Sequence, residues 1–285
     1  MPDAGGVPDA HRPHSPLDIH TSGKVQDGDM TVPREEDHLK IGIIGAGSIG
    51  STLARRLARH GHHVAIANSR GPETIDQAAL RTGARAVAVT EVAQGVDVLI
   101  VSVPMNRNAD IAEHVRSAPE GAVVIDTSNH YPMRDGSVRE FEEGVPESVW
   151  LSELFGRPVA KAWNAITSQS FDAKATEPGD PARTAIPVAA DRDADRAVAL
   201  RLVEETGFDA VDAGVLAESW RQQPGSPVYC TDRTAAEMPG WLAAAEKERV
   251  PQRRDLAMEV IGDYVQAGGS VTGPFLVAIN RASYS

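Results

Sequence analysis

The sequence predicts an α/β fold: a Rossmann-type, doubly wound, mostly parallel sheet with a smaller C-terminal region of helices and loops. Three observations predict it. From Lys40 onward, short runs rich in Val, Ile and Ala alternate with helical segments, the signature of parallel βαβ units. Those runs are almost continuously apolar, as strands covered on both faces must be. The first of them, KIGIIG, runs directly through Gly45-Ala46-Gly47-Ser48-Ile49-Gly50 into the helical segment STLARRLARHG.

Taken in order, strands are expected at 40–45, 63–68, 85–89, 97–103, 122–126 and 158–162, with two more at 183–189 and 208–212. Helices are expected between them at 50–60, 73–82, 91–94, 108–117 and 138–143. A further helix at 193–206 is closed by Gly207, a natural residue for the left-handed turn after a helix. Past Gly214 a loop-rich stretch, AESWRQQPGSPVYC, precedes two helices near 232–247 and 252–266. The second sets Leu256, Val260, Ile261, Tyr264 and Val265 on one stripe, which must bury against the core or another subunit. A homodimer is therefore an expectation.

The division that follows is a disordered tail over 1–38, a dinucleotide-binding domain over 39–213 and a C-terminal substrate or dimerisation region over 214–285. The tail is rich in Pro, Gly, Asp and His and has neither a 2-residue nor a 3.6-residue period. It has no basic start followed by an apolar stretch, so it does not read as a secretory signal. His11, His14 and His20 are scattered through it and read as solvated side chains. No metal site is expected.

Composition excludes several functions. A formal net charge of −12 over 285 residues opposes non-specific attraction to nucleic acid or anionic lipid, which depends on Lys and Arg neutralising phosphates. Cys230 is the only cysteine, so there is no internal disulfide and no CxxC redox pair, and the cytoplasm is the expected compartment. The longest apolar run, Val96 to Met105, contains Asp97 and is far shorter than the ~20 residues of a membrane helix. No membrane or nucleic-acid partner is expected.

The glycine loop has the context that makes such a motif informative. Gly45 permits the tight turn, Gly47 lets the backbone approach a pyrophosphate, and Gly50 allows the helix to pack closely on the strand. The helix N-terminus, at Ser48, Ile49 and Gly50, offers free N–H groups and a positive dipole end. Where NAD enzymes carry a carboxylate for the ribose hydroxyls, at the end of the second strand, this chain has Asn68-Ser69-Arg70. With no carboxylate to repel a 2′-phosphate, the Ser69 hydroxyl and the Arg70 guanidinium favour NADP(H). The alternative makes Arg70 a solvated charge in a turn before Pro72. Val103-Pro104 and Thr127-Ser128-Asn129 end the fourth and fifth strands, where open α/β sheets bind their ligands.

Read together, IGIIGAGSIG, ANSRGPE, VSVP, VIDTSN, PVAKAWNAI and FDAVDAG resemble the NADP oxidoreductase, coenzyme F(420)-dependent family over roughly residues 40–214. The order of motifs is also similar to the oxidoreductase domain of the STEAP metalloreductases. The resemblance implies hydride transfer between NADP(H) and a deazaflavin, coenzyme F(420), or a flavin as co-substrate. It implies that Gly45 through Gly50 hold the pyrophosphate, Ser69 and Arg70 the 2′-phosphate, and that Val103, Pro104 and Ala162 line the nicotinamide. Asn164 stands where archaeal deazaflavin members carry a histidine, and 129–154 resembles an insertion.

Two other readings stay open: reduction of a small carbonyl or imine, and a regulatory protein that senses NADPH without turning it over. Ring-to-ring hydride transfer needs mainly proximity and orientation, whereas a carbonyl or imine calls for a general acid. Lys161, Asn164, His130 and Tyr131 are the candidates. Lys161 can polarise a carbonyl or merely snorkel over the sheet edge; Asn164 can hydrogen-bond a ligand or cap the next turn. His60, His62 and His63 read as a solvated connection. Trp220 to Gln223 form either a substrate lid or an ordered loop anchored by Trp220. Cys230 reads as a small buried side chain rather than a nucleophile.

Overall fold

The computed structural model of the chain describes residues 38–284, so all of the tail expected over 1–38 except His38, with His11, His14 and His20, lies outside the described residues. The eight expected strands are all present: β1 (Lys40–Ile44), β2 (His63–Ala67), β3 (Arg85–Ala86), β4 (Val98–Val101), β5 (Val123–Asp126), β6 (Ala160–Lys161), β7 (Ala185–Ala190) and β8 (Asp209–Asp212). They form one sheet in the order β3-β2-β1-β4-β5-β6-β7-β8. Every pairing is parallel except β6 with β7, where Lys161 lies opposite Ala189. The first six strands thus follow the order of a dinucleotide-binding sheet, with the switch point between β1 and β4.

Successive residues of each strand face opposite layers. Ile41, Ile43, Val98, Ile100 and Ile125 enter one core, under α1 (Ser48–Arg59), α7 (Ser168–Ala173) and α8 (Asp193–Glu205). Ile44, Leu99, Val101 and Val124 enter the other. Among the elements over that second core are α3 (Asn108–Arg116), α6 (Glu147–Phe155) and the 3₁₀ segment Leu216–Gln222. Short turns complete the nucleotide half: α2 (Gln77–Leu80), α4 (Pro132–Asp135) and α5 (Arg139–Glu142).

Several boundaries differ from expectation for identifiable reasons. The helix expected at 91–94 is a run of hydrogen-bonded turns, Val92 N–H to Ala88 O and Gln94 N–H to Glu91 O, stopped by Gly95 at φ 63°. The helix expected at 73–82 breaks into a 3₁₀ turn, Pro72–Thr74, and α2, because the Asp76 side chain accepts from Ala78 N–H and restarts the helix there. The helix expected at 232–247 shrinks to α9 (Met238–Ala243), since Pro239 is tolerated only in a first turn.

Beyond α9, α10 (Val250–Gln266) packs against α11 (Gly273–Tyr284) with Tyr264 stacked on Phe275 at 4.3 Å. The sequence reading missed α11. Its start was written in Thr272-Gly273-Pro274, where the Thr272 hydroxyl accepts from Phe275 N–H and proline sits in the first turn. The α10 stripe expected to bury stays largely open: Leu256 is 51% exposed, Tyr264 41% and Val265 49%, while Ile261 turns inward. Burial against the chain's own core is therefore corrected for those residues.

Phe155 closes α6 with no exposed surface. Phe155→Ala is expected to cost about 3–5 kcal/mol of stability, read as a lower midpoint in urea unfolding.

Candidate active site

The glycine loop is shaped by contacts that only hydrogen can satisfy. Gly45 lies at φ 115°, in the left-handed region, and a Cβ there would collide with the Ser102 carbonyl. A Cβ on Gly50 would collide with the Gly45 carbonyl, so this pair sets how closely α1 enters the sheet. Gly47 has open space where its Cβ would be. The first hydrogen bond of α1 runs from Ser51 N–H to Gly47 O at 2.9 Å, which leaves the N–H groups of the preceding turn for a ligand. α1 has no acidic residue in its first turn.

At the end of β2, the Asn68 carboxamide folds the turn: Oδ1 accepts from Arg70 N–H at 2.9 Å and Nδ2 donates to Thr74 Oγ1 at 2.9 Å. Asn68 therefore serves the backbone and holds out Ser69 and Arg70, both exposed. Among the described residues no ion pair engages Arg70.

From the phosphate loop a cleft of about 560 Å³ runs along the carboxyl ends of β4 and β5. Ser48, Ile49, Val103 and Pro104 line its entrance and Thr127, Ser128 and Asn129 its floor. Met258, Ile261 and Leu276, from α10 and α11, roof it. A larger hollow of about 690 Å³, lined by Arg55, Arg59 and Arg81, lies at the C-terminal end of α1. We place the site in the former, because ligands of open α/β sheets sit outside the strands' carboxyl ends.

Beneath the floor lies a buried ionic cluster. Lys161 is fully buried, with its ammonium 3.4 Å from Asp126 Oδ2 and 3.3 Å from Glu147 Oε2, and it donates to Ser128 O at 3.0 Å. Asp126 also accepts from Ser128 N–H at 2.8 Å and Ser148 Oγ at 2.9 Å, and Glu147 accepts from His130 N–H at 3.1 Å. Lys161 does not snorkel and does not line the cleft, which corrects its candidacy as an acid. It holds the segment 127–130 from below, because a buried ammonium must find its partners inside the protein.

Asn164 lines the cleft with its polar atoms already engaged. Its Nδ2 donates to Asn129 Oδ1 at 3.1 Å and Gln222 O at 2.7 Å, and its Oδ1 accepts from Gln222 Nε2 at 3.1 Å. Both amide hydrogens are thus spent, which removes Asn164 as a donor to substrate. Gln222 is buried in this exchange and the Arg221 guanidinium lies 4.3 Å over the Trp220 ring, so the segment is an ordered loop and not a lid. Ala162, expected at the nicotinamide, is buried in the core beneath α8, and Trp163 lines the cleft in its place. His130 is buried against Phe141 with Nε2 2.8 Å from Gly136 O. His62 is buried too, accepting from Leu39 N–H and lying 2.6 Å from Glu205, where a solvated connection was expected.

At the far end Tyr131, Tyr229, Cys230 and Tyr284 close the cleft. The Tyr131 and Tyr229 hydroxyls meet at 2.7 Å. The segment carrying Tyr229 and Cys230 is clamped from α11, where Asn280 Nδ2 donates to both carbonyls at 3.4 Å and Arg281 Nε donates to Thr231 O at 2.7 Å. Among the described residues only Trp163 (φ 56°), Cys230 (φ 51°) and Asp232 (φ 48°) adopt positive φ without being glycine. The first two line this cleft, and strained backbone of this kind collects at functional sites. Of these residues the sequence reading singled out Tyr131 for chemistry; Tyr229, Asn280 and Tyr284 lie up to 153 positions away, and no local spacing signals their meeting.

The family described as NADP oxidoreductase coenzyme F420-dependent matches residues 40–130. SMa0349, a hypothetical protein of Sinorhizobium meliloti, is similar in structure with a TM-score of 0.59 and 32% identity, over 68% of this chain and 94% of that one. A protein of Arthrobacter sp. FB24, provisionally named an F420-dependent NADP-reductase, matches with a TM-score of 0.51 and 20% identity, over 64% of this chain and 87% of its own, a likeness of fold. YjhV of Escherichia coli strain K12 is 52% identical over 60 residues, 21% of this chain, and the match spans 44% of YjhV's length.

Removing the Lys161 ammonium leaves Asp126 and Glu147 buried together. Lys161→Met is expected to lower stability by about 3–5 kcal/mol, measured by urea unfolding. A loss under about 1 kcal/mol would show that the cluster does not anchor the floor.

Proposed function

This chain belongs to the NADP oxidoreductase, coenzyme F420-dependent family, and from that premise we propose that it is an NADP(H)-dependent reductase working in the cleft between the glycine loop and the tyrosines. The observation that carries the reading is the continuity of that cleft from Gly47, Ser48 and Ile49 to Asn129 and Tyr131. The residues fit the cofactor: Gly47 leaves room for a pyrophosphate against the first turn of α1. Ser69 and Arg70 stand exposed at the end of β2, where a 2′-phosphate is read. Bound there, NADPH supplies a hydride. The protein's own part is to cover the acceptor with the α10 and α11 roof and to hold it against the floor at Thr127 to Asn129.

The acceptor that the cleft fits best is a small carbonyl compound. Its lining contains hydroxyls and amides, one cationic side chain, Arg134, and no carboxylate. Such a wall suits an acceptor that gains negative charge as it is reduced and gives an iminium cation no counter-charge. A deazaflavin or flavin is the second reading, supported by the description of the family.

Arg70→Ala is expected to weaken NADPH roughly tenfold to hundredfold, the worth of a charge-assisted hydrogen bond, and to leave NADH affinity nearly unchanged. Tryptophan fluorescence titration of both cofactors reads this directly, and equal losses for both would remove the role of Arg70. Consumption of NADPH with a panel of aldehydes, ketones, cyclic imines, FMN and a deazaflavin tests the reaction. The expectation is turnover with a carbonyl compound; binding without consumption under every condition would leave a nucleotide sensor.

A further inference from the structure

The two phenols at the end of the cleft have a hydrogen to spare. Between them Tyr131 and Tyr229 carry two hydroxyl hydrogens, and their 2.7 Å contact consumes one. The Cys230 sulfur beside Tyr229 is a weak acceptor and a poor competitor for the second. Donation within the pair also strengthens the outward donor, because hydrogen bonds in a chain polarise one another.

The surroundings keep both groups neutral. Tyr229 and Tyr284 are buried, and Ala165 and Ala257 pack around them with Tyr131 at the edge. Burial raises both the Tyr131 and the Tyr229 phenol well above their ordinary range, and the nearby Cys230 and Tyr284 add to it. Such phenols keep their hydrogens at any physiological pH and act by donation without ionising. The pair is also held rigidly. Tyr131 N–H donates to Asp135 Oδ2 at 2.9 Å, the Arg134 guanidinium lies 5.4 Å over the Tyr131 ring, and α11 clamps the Tyr229 carbonyl.

The geometry points to the Tyr131 and Tyr229 hydroxyls as a paired donor that receives the oxygen of a carbonyl substrate and stabilises the charge developing on it. This inference rests on the reading of the chain as an NADP(H)-dependent reductase and names the group that selects its acceptor. In the step it serves, the acceptor carbon gains a hydride with both its electrons and the C=O π pair moves onto oxygen. That oxygen sits in the phenol hydrogen bond until a proton from water completes the alcohol. NADPH leaves oxidised as NADP⁺ and the carbonyl leaves reduced.

Two measurements on the full chain test it. The first uses 4-nitrophenolate as a probe of the oxyanion position in the wild-type complex with NADP⁺. A bound probe with shifted absorption is expected, with the shift lost in both Tyr131→Phe and Tyr229→Phe; wild-type protein that leaves the spectrum unshifted overturns the proposal without reference to any variant. The second is turnover. Each Phe variant keeps its ring, and is expected to lose roughly 10²–10³-fold in kcat for carbonyl acceptors with NADPH affinity within about twofold of wild type. The double variant is expected to fall no further than the worse single one, since the hydroxyls act as a unit. Phe variants as active as wild type, or NADPH consumption with FMN or a deazaflavin and with no carbonyl compound, overturn the proposal while leaving the reductase reading intact. Absence of NADPH binding in wild-type protein would instead remove that reading, and the inference with it.

Discussion

A single ammonium group organises the site. Lys161 ends β6 with no exposed surface, and its partners come from β5, α6 and the segment after β5. Charge cannot be left unpaired at such a depth, so the three elements must converge on one point. That convergence fixes the floor of the cleft, and the same segment continues two residues on into Tyr131. The site's polar end is thus set from beneath, by residues no substrate touches.

The other end is set by steric exclusion. Gly45 and Gly50 approach each other and Ser102 so closely that neither position has room for a side chain, and α1 points its N-terminus across the ends of β1 and β4. Two unlike constraints, a buried ion cluster and a pair of bare backbones, therefore hold the two ends of one cleft on a common rigid sheet. The roof has a different character. α10 and α11 line the cleft with the apolar side chains of Met258, Ile261 and Leu276 and leave much of α10's outer surface open, so the roof is the part of the site least tied to the sheet.

The candidates named from sequence redistribute along these lines. Lys161 and Asn164 were singled out for being polar near a strand end, and they prove to be the groups whose hydrogens the protein consumes itself. Tyr131, weighed beside them, is the one that keeps a partner hydroxyl in the cleft. Polarity close to a site is thus a weaker indicator of chemistry than an unspent donor, and the difference is visible only when every partner is counted.

The eight strands, their alternation with helices, the glycine loop and the absence of a carboxylate at Asn68 are legible from sequence alone, because they depend on periodicity, backbone freedom and charge within a few dozen residues. The starts of α2 and α9 are written there too, in Asp76 and Pro239, although the longer helical patterns around them obscure both. The sequence did not show that Lys161 is buried, that Ala162 faces the core, or that Tyr229 would reach Tyr131. Those outcomes belong to tertiary packing: Lys161 meets Glu147 across 14 positions, Tyr131 meets Tyr229 across 98, and Ala162 packs against residues of distant elements, and no local pattern encodes which distant side chain will be there.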